Sequence, residues 1–209
     1  MTDNYEQYKK EIYNPETGLY DQYFLEIAYD SDSETPRSWD NLTKMIFFHK
    51  KYNLGDDHNI DVEDYANWEE MEDALREEYK PVYLAYVSMY DHSGIRIYIG
   101  KGSGWDCGII GFVLITEEDL KNCCGNDPKY RDEKWLEKAA EEEIEIYNHY
   151  VQGEVFGYRT YVLKHCPCCN HRIEEDLDSC CGFLGDNWEE NGLLDNAGWD
   201  KFSLHTQVK

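Results

Sequence analysis

The sequence predicts an α+β fold in a single domain, a largely antiparallel sheet covered by two acidic helices, with a Cys-rich hairpin tip. Three observations carry this. Runs of aromatic and β-branched residues follow one another across short glycine-containing turns, as antiparallel strands do. Two longer segments repeat apolar residues every three or four positions, as helices buried on one side do. Strands and helices do not alternate regularly, which argues against a parallel βαβ sheet. A chain of 209 residues suits one domain, 1–209, and an apolar fraction of 41% with 15% aromatics supplies a buriable core despite the charge.

Gln22 to Tyr29 reads as a first strand, closed by the polar loop Asp30 to Arg37. Lys44 to His49 is a short apolar run assigned to a second strand. From Asp61 to Tyr79, Val62, Tyr65, Trp68, Met71, Leu75 and Tyr79 keep helical spacing, and Pro81 stops the helix. Its opposite side is carboxylate, from Glu63 and Asp64 through Glu69, Glu70, Glu72 and Asp73 to Glu77 and Glu78. Val82 to Tyr90, Ile95 to Ile99 and Gly108 to Ile115 are three strand-like runs whose short connections favour an antiparallel meander. Thr116, followed by Glu118 and Asp119, caps a short helix through Leu120. A longer helix spans about Arg131 to Val151, with Leu136, Ala140, Ile144, Tyr147 and Val151 inward. Glu133, Glu137, Glu141, Glu142, Glu143 and Glu145 are expected on its solvent side. Val155 to Lys164 and Ile173 to Phe183 form the arms of a last hairpin, and residues 186–209 form an irregular tail.

The chain holds 20 Lys and Arg against 44 Asp and Glu, a formal charge of -24. Such a field repels nucleic acid and anionic membrane and steers basic partners toward the protein. Direct nucleic-acid binding and a membrane role are therefore not expected. The first residues lack the basic and apolar stretches of a secretory signal, and no run reaches membrane-spanning length, so a cytoplasmic protein with reduced thiols is expected.

The hairpin tip carries His165-Cys166-Pro167-Cys168-Cys169-Asn170-His171. Cys166 and Cys169 have the C-x2-C spacing with which two thiolates grip a tetrahedral Zn²⁺, so residues 165–181 are a candidate zinc knuckle of structural type. His171 and Cys180 are the candidates to complete it, with His165 and Cys181 as alternatives. The cysteines are too close together after Pro167 for a deaminase signature, and no His-x-Glu precedes them. Asp40, His49, Asp56, His58, His92 and Asp106 sit next to Gly or at or near predicted loops, where they either serve turns or converge on a metal-dependent catalytic centre.

Pro36-Arg37-Ser38-Trp39-Asp40-Asn41-Leu42, Tyr52-Asn53-Leu54-Gly55-Asp56, Tyr90-Asp91-His92-Ser93-Gly94, Trp105-Asp106-Cys107-Gly108 and Asp178-Ser179-Cys180-Cys181-Gly182-Phe183 together resemble a family of small acidic proteins of unassigned role, encoded mainly by bacteriophages and other mobile elements. The resemblance covers roughly Tyr23 to Gly185, and relatives carry a simple polar turn where this chain has its cysteine cluster. It implies a dispensable phage accessory protein, a class that often inhibits host defence.

A non-catalytic inhibitor of anti-CRISPR or antirestriction type is thus the leading expectation. It would act on a host nucleic-acid-binding protein or defence enzyme through Glu69, Glu70, Asp73 and Glu77 on one helix and Glu137, Glu141 and Glu145 on the other. The alternatives are a small metal-dependent enzyme using Asp40, His49, His92 and Asp106, and a virion-associated binding module.

Overall fold

A computed structural model of the chain describes residues 6–92, 94–102 and 104–200. In chain order the elements are β1 (Glu6–Asn14), β2 (Leu19–Tyr29), β3 (Lys44–Phe47), α1 (Trp68–Tyr79), β4 (Tyr83–Asp91), β5 (Ile95–Ile99), β6 (Cys107–Ile115), α2 (Glu117–Cys124), α3 (Glu133–Val151), β7 (Val155–His165), β8 (Arg172–Leu184) and α4 (Leu193–Asn196). The class is α+β and every strand pairing is antiparallel. The strands divide between two four-stranded sheets, ordered β1-β2-β7-β8 and β3-β6-β4-β5, where the sequence suggested one. They belong to two compact units, a terminal one of Met1–Glu34 with Gly153–Lys209 and a central one of Thr35–Gln152. Hydrophobic periodicity marks strands without saying which of them pair, so the division was invisible in the pattern. No helix among the described residues is long and apolar enough to cross a membrane.

In the terminal unit, Leu25 and Ile27 of β2 and Phe156 and Tyr158 of β7 build a core with Leu193, Leu194 and Trp199. The expected irregular tail therefore contains a short helix and core residues as far as Trp199, while residues 201–209 lie outside the described ones. Strand β1 had no counterpart in the sequence reading. It lies at the edge of its sheet, and of its side chains only Tyr8 is buried, so it lacks the apolar alternation of an inner strand.

In the central unit, β4 pairs with both β5 and β6, so the three strands do not follow meander order. Neighbouring residues of these strands point to opposite faces. On one face Met45, Val87, Ile97 and Val113 meet Ala140, Ile144 and Tyr147 of α3. On the other, Ile46, Phe112 and Leu114 meet Met71 and Leu75 of α1, with Trp68 half-buried edge-on to Phe112. Full burial of a side chain such as Leu75 stabilises by about 1.5–3 kcal/mol.

Helix α1 starts at Trp68, later than the expected Asp61. Asp61 instead caps a separate 3-10 turn, Val62–Asp64, and Asn67 accepts from the Glu70 N–H to cap α1. Thr116 and Asp119 form a capping box on α2. Glu143 departs from the solvent side assigned to it. Its carboxylate accepts from the backbone N–H groups of Leu42 and Thr43, the Thr43 hydroxyl and Arg37.

Candidate functional site

The β7–β8 ladder ends at the pair His165–Arg172, and the six residues between them turn tightly. The Cys166 N–H donates to the His171 carbonyl and the Asn170 N–H to the Cys166 carbonyl, both at 2.8 Å. Asn170 takes φ 58, the left-handed conformation that Asn tolerates better than most residues. The turn draws the sulfurs of Cys166, Cys168 and Cys169 within 4.8 Å of one another, with Cys166 and Cys168 at 3.0 Å. Four thiolates at about 2.3 Å from a zinc ion lie about 3.8 Å apart, so the tip is spaced to hold a metal with little rearrangement. The Cys166 thiol is pushed down to about 7, first by a hydrogen bond from the Cys168 thiol and then by the backbone N–H groups of Cys168 and Cys169. The Cys168 thiol, donating that bond, is pushed up.

Of the sequence-derived metal set, the structure brings together Cys166 and Cys169 and leaves His171 and Cys180 apart. Cys180 lies on β8 opposite Tyr158, seven residues along β7 from His165, which is about 23 Å at ~3.3 Å per residue. The sequence reading passed over Cys168. Its signal was the third cysteine in the run, which a tight turn can bring beside the other two even though it falls outside the C-x2-C spacing. Among the described residues, these three sulfurs are the only group of three or more His, Cys, Asp or Glu donors that close on one another in this way.

The acidic residues fall into two places. Glu69, Glu70, Asp73 and Glu77 are exposed on α1, and Glu137 and Glu141 are exposed on α3, with Glu145 half-buried beside them. Because α1 and α3 cover opposite faces of the same sheet, their carboxylates do not form one surface. Several are engaged locally. Glu145 pairs with Arg96 at 2.8 Å, Glu69 approaches Lys101 at 3.5 Å, and Glu70 accepts from the Ala66 N–H at 2.7 Å.

The loop Asp and His residues do not converge. Asp56 is held by Arg37 and the Met45 N–H, and His58 meets the Phe47 carbonyl and packs on Phe48. His49 stacks on Tyr52 and accepts from its N–H. His92 and Asp106 approach to 3.8 Å, on the exposed end of the sheet where Trp105 is fully exposed. Asp56 and the His92–Asp106 approach join neighbouring loops, and the set does not gather at one centre. No protein-family model, curated protein or solved structure matches this chain.

Proposed function

We propose that this chain is an accessory protein of a bacteriophage or other mobile element that inhibits a host nucleic-acid-handling or defence enzyme, anti-CRISPR or antirestriction in type. It works in the host cytoplasm, without chemistry of its own, by offering carboxylates where the target expects phosphates. The observation that carries this reading is the outer face of α1. Glu69, Asp73 and Glu77 stand one above another at i, i+4 spacing, all exposed, with Glu70 beside them. Successive members are about 6 Å apart along the axis, the same order as charges along a nucleic-acid strand. The face on α3 is a second, separate contact, since Lys134 and Lys138 dilute it and it looks away from α1.

The hairpin tip serves this protein structurally. Its metal is Zn²⁺, because clustered thiolates in a reducing compartment select a soft or borderline ion and zinc brings no redox chemistry. The zinc orders the tip, and the sheet stands without it.

The reading is tested by binding measured at low and moderate salt against a basic defence nuclease from a host of related elements, with labelled DNA as competitor. Affinity should fall by orders of magnitude as salt rises, because attraction between exposed charges is screened within about 8–10 Å. Simultaneous binding of DNA and this protein to the target would overturn mimicry.

A further inference from the structure

A structural zinc site is closed by four protein ligands in a tetrahedron. One copy of this chain gathers three sulfurs at the β7–β8 tip, and no fourth His, Cys, Asp or Glu donor among the described residues closes on them. Cys168 and Cys169 are exposed, and so is most of the strand that leads away from the tip. The remaining ligands therefore have open access from outside the chain.

We propose that the tip is one half of a zinc site shared by two copies of this chain, each supplying Cys166 and Cys169. This rests on the zinc reading above and adds to it the source of the missing ligands. A single ion joining two identical tips lies on their two-fold axis, so the copies contribute equally. Two sulfurs from each make four. Cys166 and Cys169 have the spacing that lets a turn grip one ion. Cys168 remains outside the shell as a hydrogen-bond partner of Cys166.

Charge and surface agree with this assignment. Two copies each carrying -24 repel, and four thiolates around Zn²⁺ leave a net charge of -2. Arg172 beside the tip sets a positive charge against both effects, while Lys164 is paired with Glu175 on β8. Arg172 donates to Gln22 at 2.6 Å. The pair Gln22–Leu163 sets the β1–β2 turn level with the cysteine turn, at the same end of the sheet. There Tyr13 is 54% exposed, Tyr20 58% and Ile12 48%, with the two tyrosines edge-to-face at 5.5 Å, and Ile173 is 40% exposed on β8. Tyr13 and Tyr20 share one face and Ile12 and Ile173 the other, so a second tip docking on the tyrosine face would cover the two rings.

The experiment is native mass spectrometry with sedimentation velocity on the full chain, reduced, with zinc added and again after chelation. We expect a dimer with one zinc per two chains that separates into monomers when the metal is removed. Cys168→Ser should keep both metal and dimer, whereas joint Cys166→Ser and Cys169→Ser should lose both. One zinc per monomer would overturn sharing and leave the zinc reading standing, whereas no zinc at all would overturn both. A dimer that survives chelation would show that the metal is not the bridge. Chelation of the unmodified protein decides the matter even where the double variant misfolds.

Discussion

Arg37 and Asp56 form a two-pronged ion pair inside the central unit, with Arg37 Nε 2.7 Å from Asp56 Oδ1 and Nη2 2.8 Å from Oδ2, and the Arg37 side chain only 5% exposed. The guanidinium also reaches the Thr43 carbonyl at 2.7 Å. Two of the motifs that suggested a phage family, around Pro36–Leu42 and Tyr52–Asp56, therefore meet each other, and their charged residues hold loops to the β3 strand. Arg37→Met should lower stability by about 3–5 kcal/mol, because it leaves a partly buried carboxylate without its partner. Chemical denaturation measures this, and a loss below about 1 kcal/mol would show the pair to be dispensable.

Glu141 and Glu143 separate surface from structure on one helix. Glu143→Ala should cost about 2–4 kcal/mol, since the N–H groups of Leu42 and Thr43 lose their acceptor. Glu141→Ala, at an exposed position, should stay within about 0.5 kcal/mol of the parent. Thermal unfolding of the two variants side by side makes the comparison, and equal effects would contradict the packing described for α3.

Joint replacement of Glu69, Glu70, Asp73 and Glu77 by Gln should slow association with the target and flatten its salt dependence while stability changes little. Gln at position 70 keeps an oxygen for the Ala66 N–H and its backbone N–H for the Asn67 cap, so the start of α1 survives. Because α3 covers the other face of the sheet, Gln at 137, 141 and 145 should act independently, and the two sets should combine additively. Unchanged inhibition by a folded α1 variant would remove that helix from the mechanism.

The Cys166 thiol, pushed down to about 7 by donors in its own turn, should alkylate with a midpoint near that pH in the metal-free protein. An unstructured cysteine titrates near 8.5. The sign follows from the lowered value. The ordered turn is favoured where Cys166 is ionised, fully so above the unstructured value, and that preference is lost as the pH falls through about 7. Peptide mapping after brief iodoacetamide treatment across pH reads this, and a midpoint at the unstructured value would mean the turn does not form in solution.

Gly111→Ala should destabilise strongly. Gly111 has φ 153, and an added Cβ would lie 2.0 Å from the Ile46 carbonyl oxygen in the neighbouring strand. The position adjoins the irregularity between Val87 and Ser88, where a side chain has no room and the backbone is already committed. Retention of parental stability would place Gly111 in a different conformation.

Much of the strand and helix content was legible in the sequence because inner elements have a clear period. β5 agrees residue for residue with the run Ile95–Ile99, and Leu136, Ala140, Ile144 and Tyr147 are buried as the spacing implied. What escaped was set by distant partners. Glu143 looks like any helix-surface acid until Leu42 and Thr43 arrive, more than ninety positions away in the chain, to use it. Cys180 appeared to belong to the tip because a hairpin returns its arms side by side. Its register places it level with Tyr158, and two irregularities along β7 and β8 could not be read from a local pattern. Whether α1 and α3 share a face depends on which of two neighbouring residues, Phe112 or Val113, each helix meets.

Strand β8 ends its sheet with one side unpaired, and eleven of its thirteen residues are exposed. A long free edge of this kind is a template on which other chains assemble into fibrils. Glu174, Glu175, Asp176 and Asp178 put carboxylates along it, and the two irregularities in its pairing interrupt its straightness. An incoming strand would meet repulsion and a broken row of hydrogen-bonding groups at once. The protein can therefore reach high concentration without its own open edge driving it out of solution.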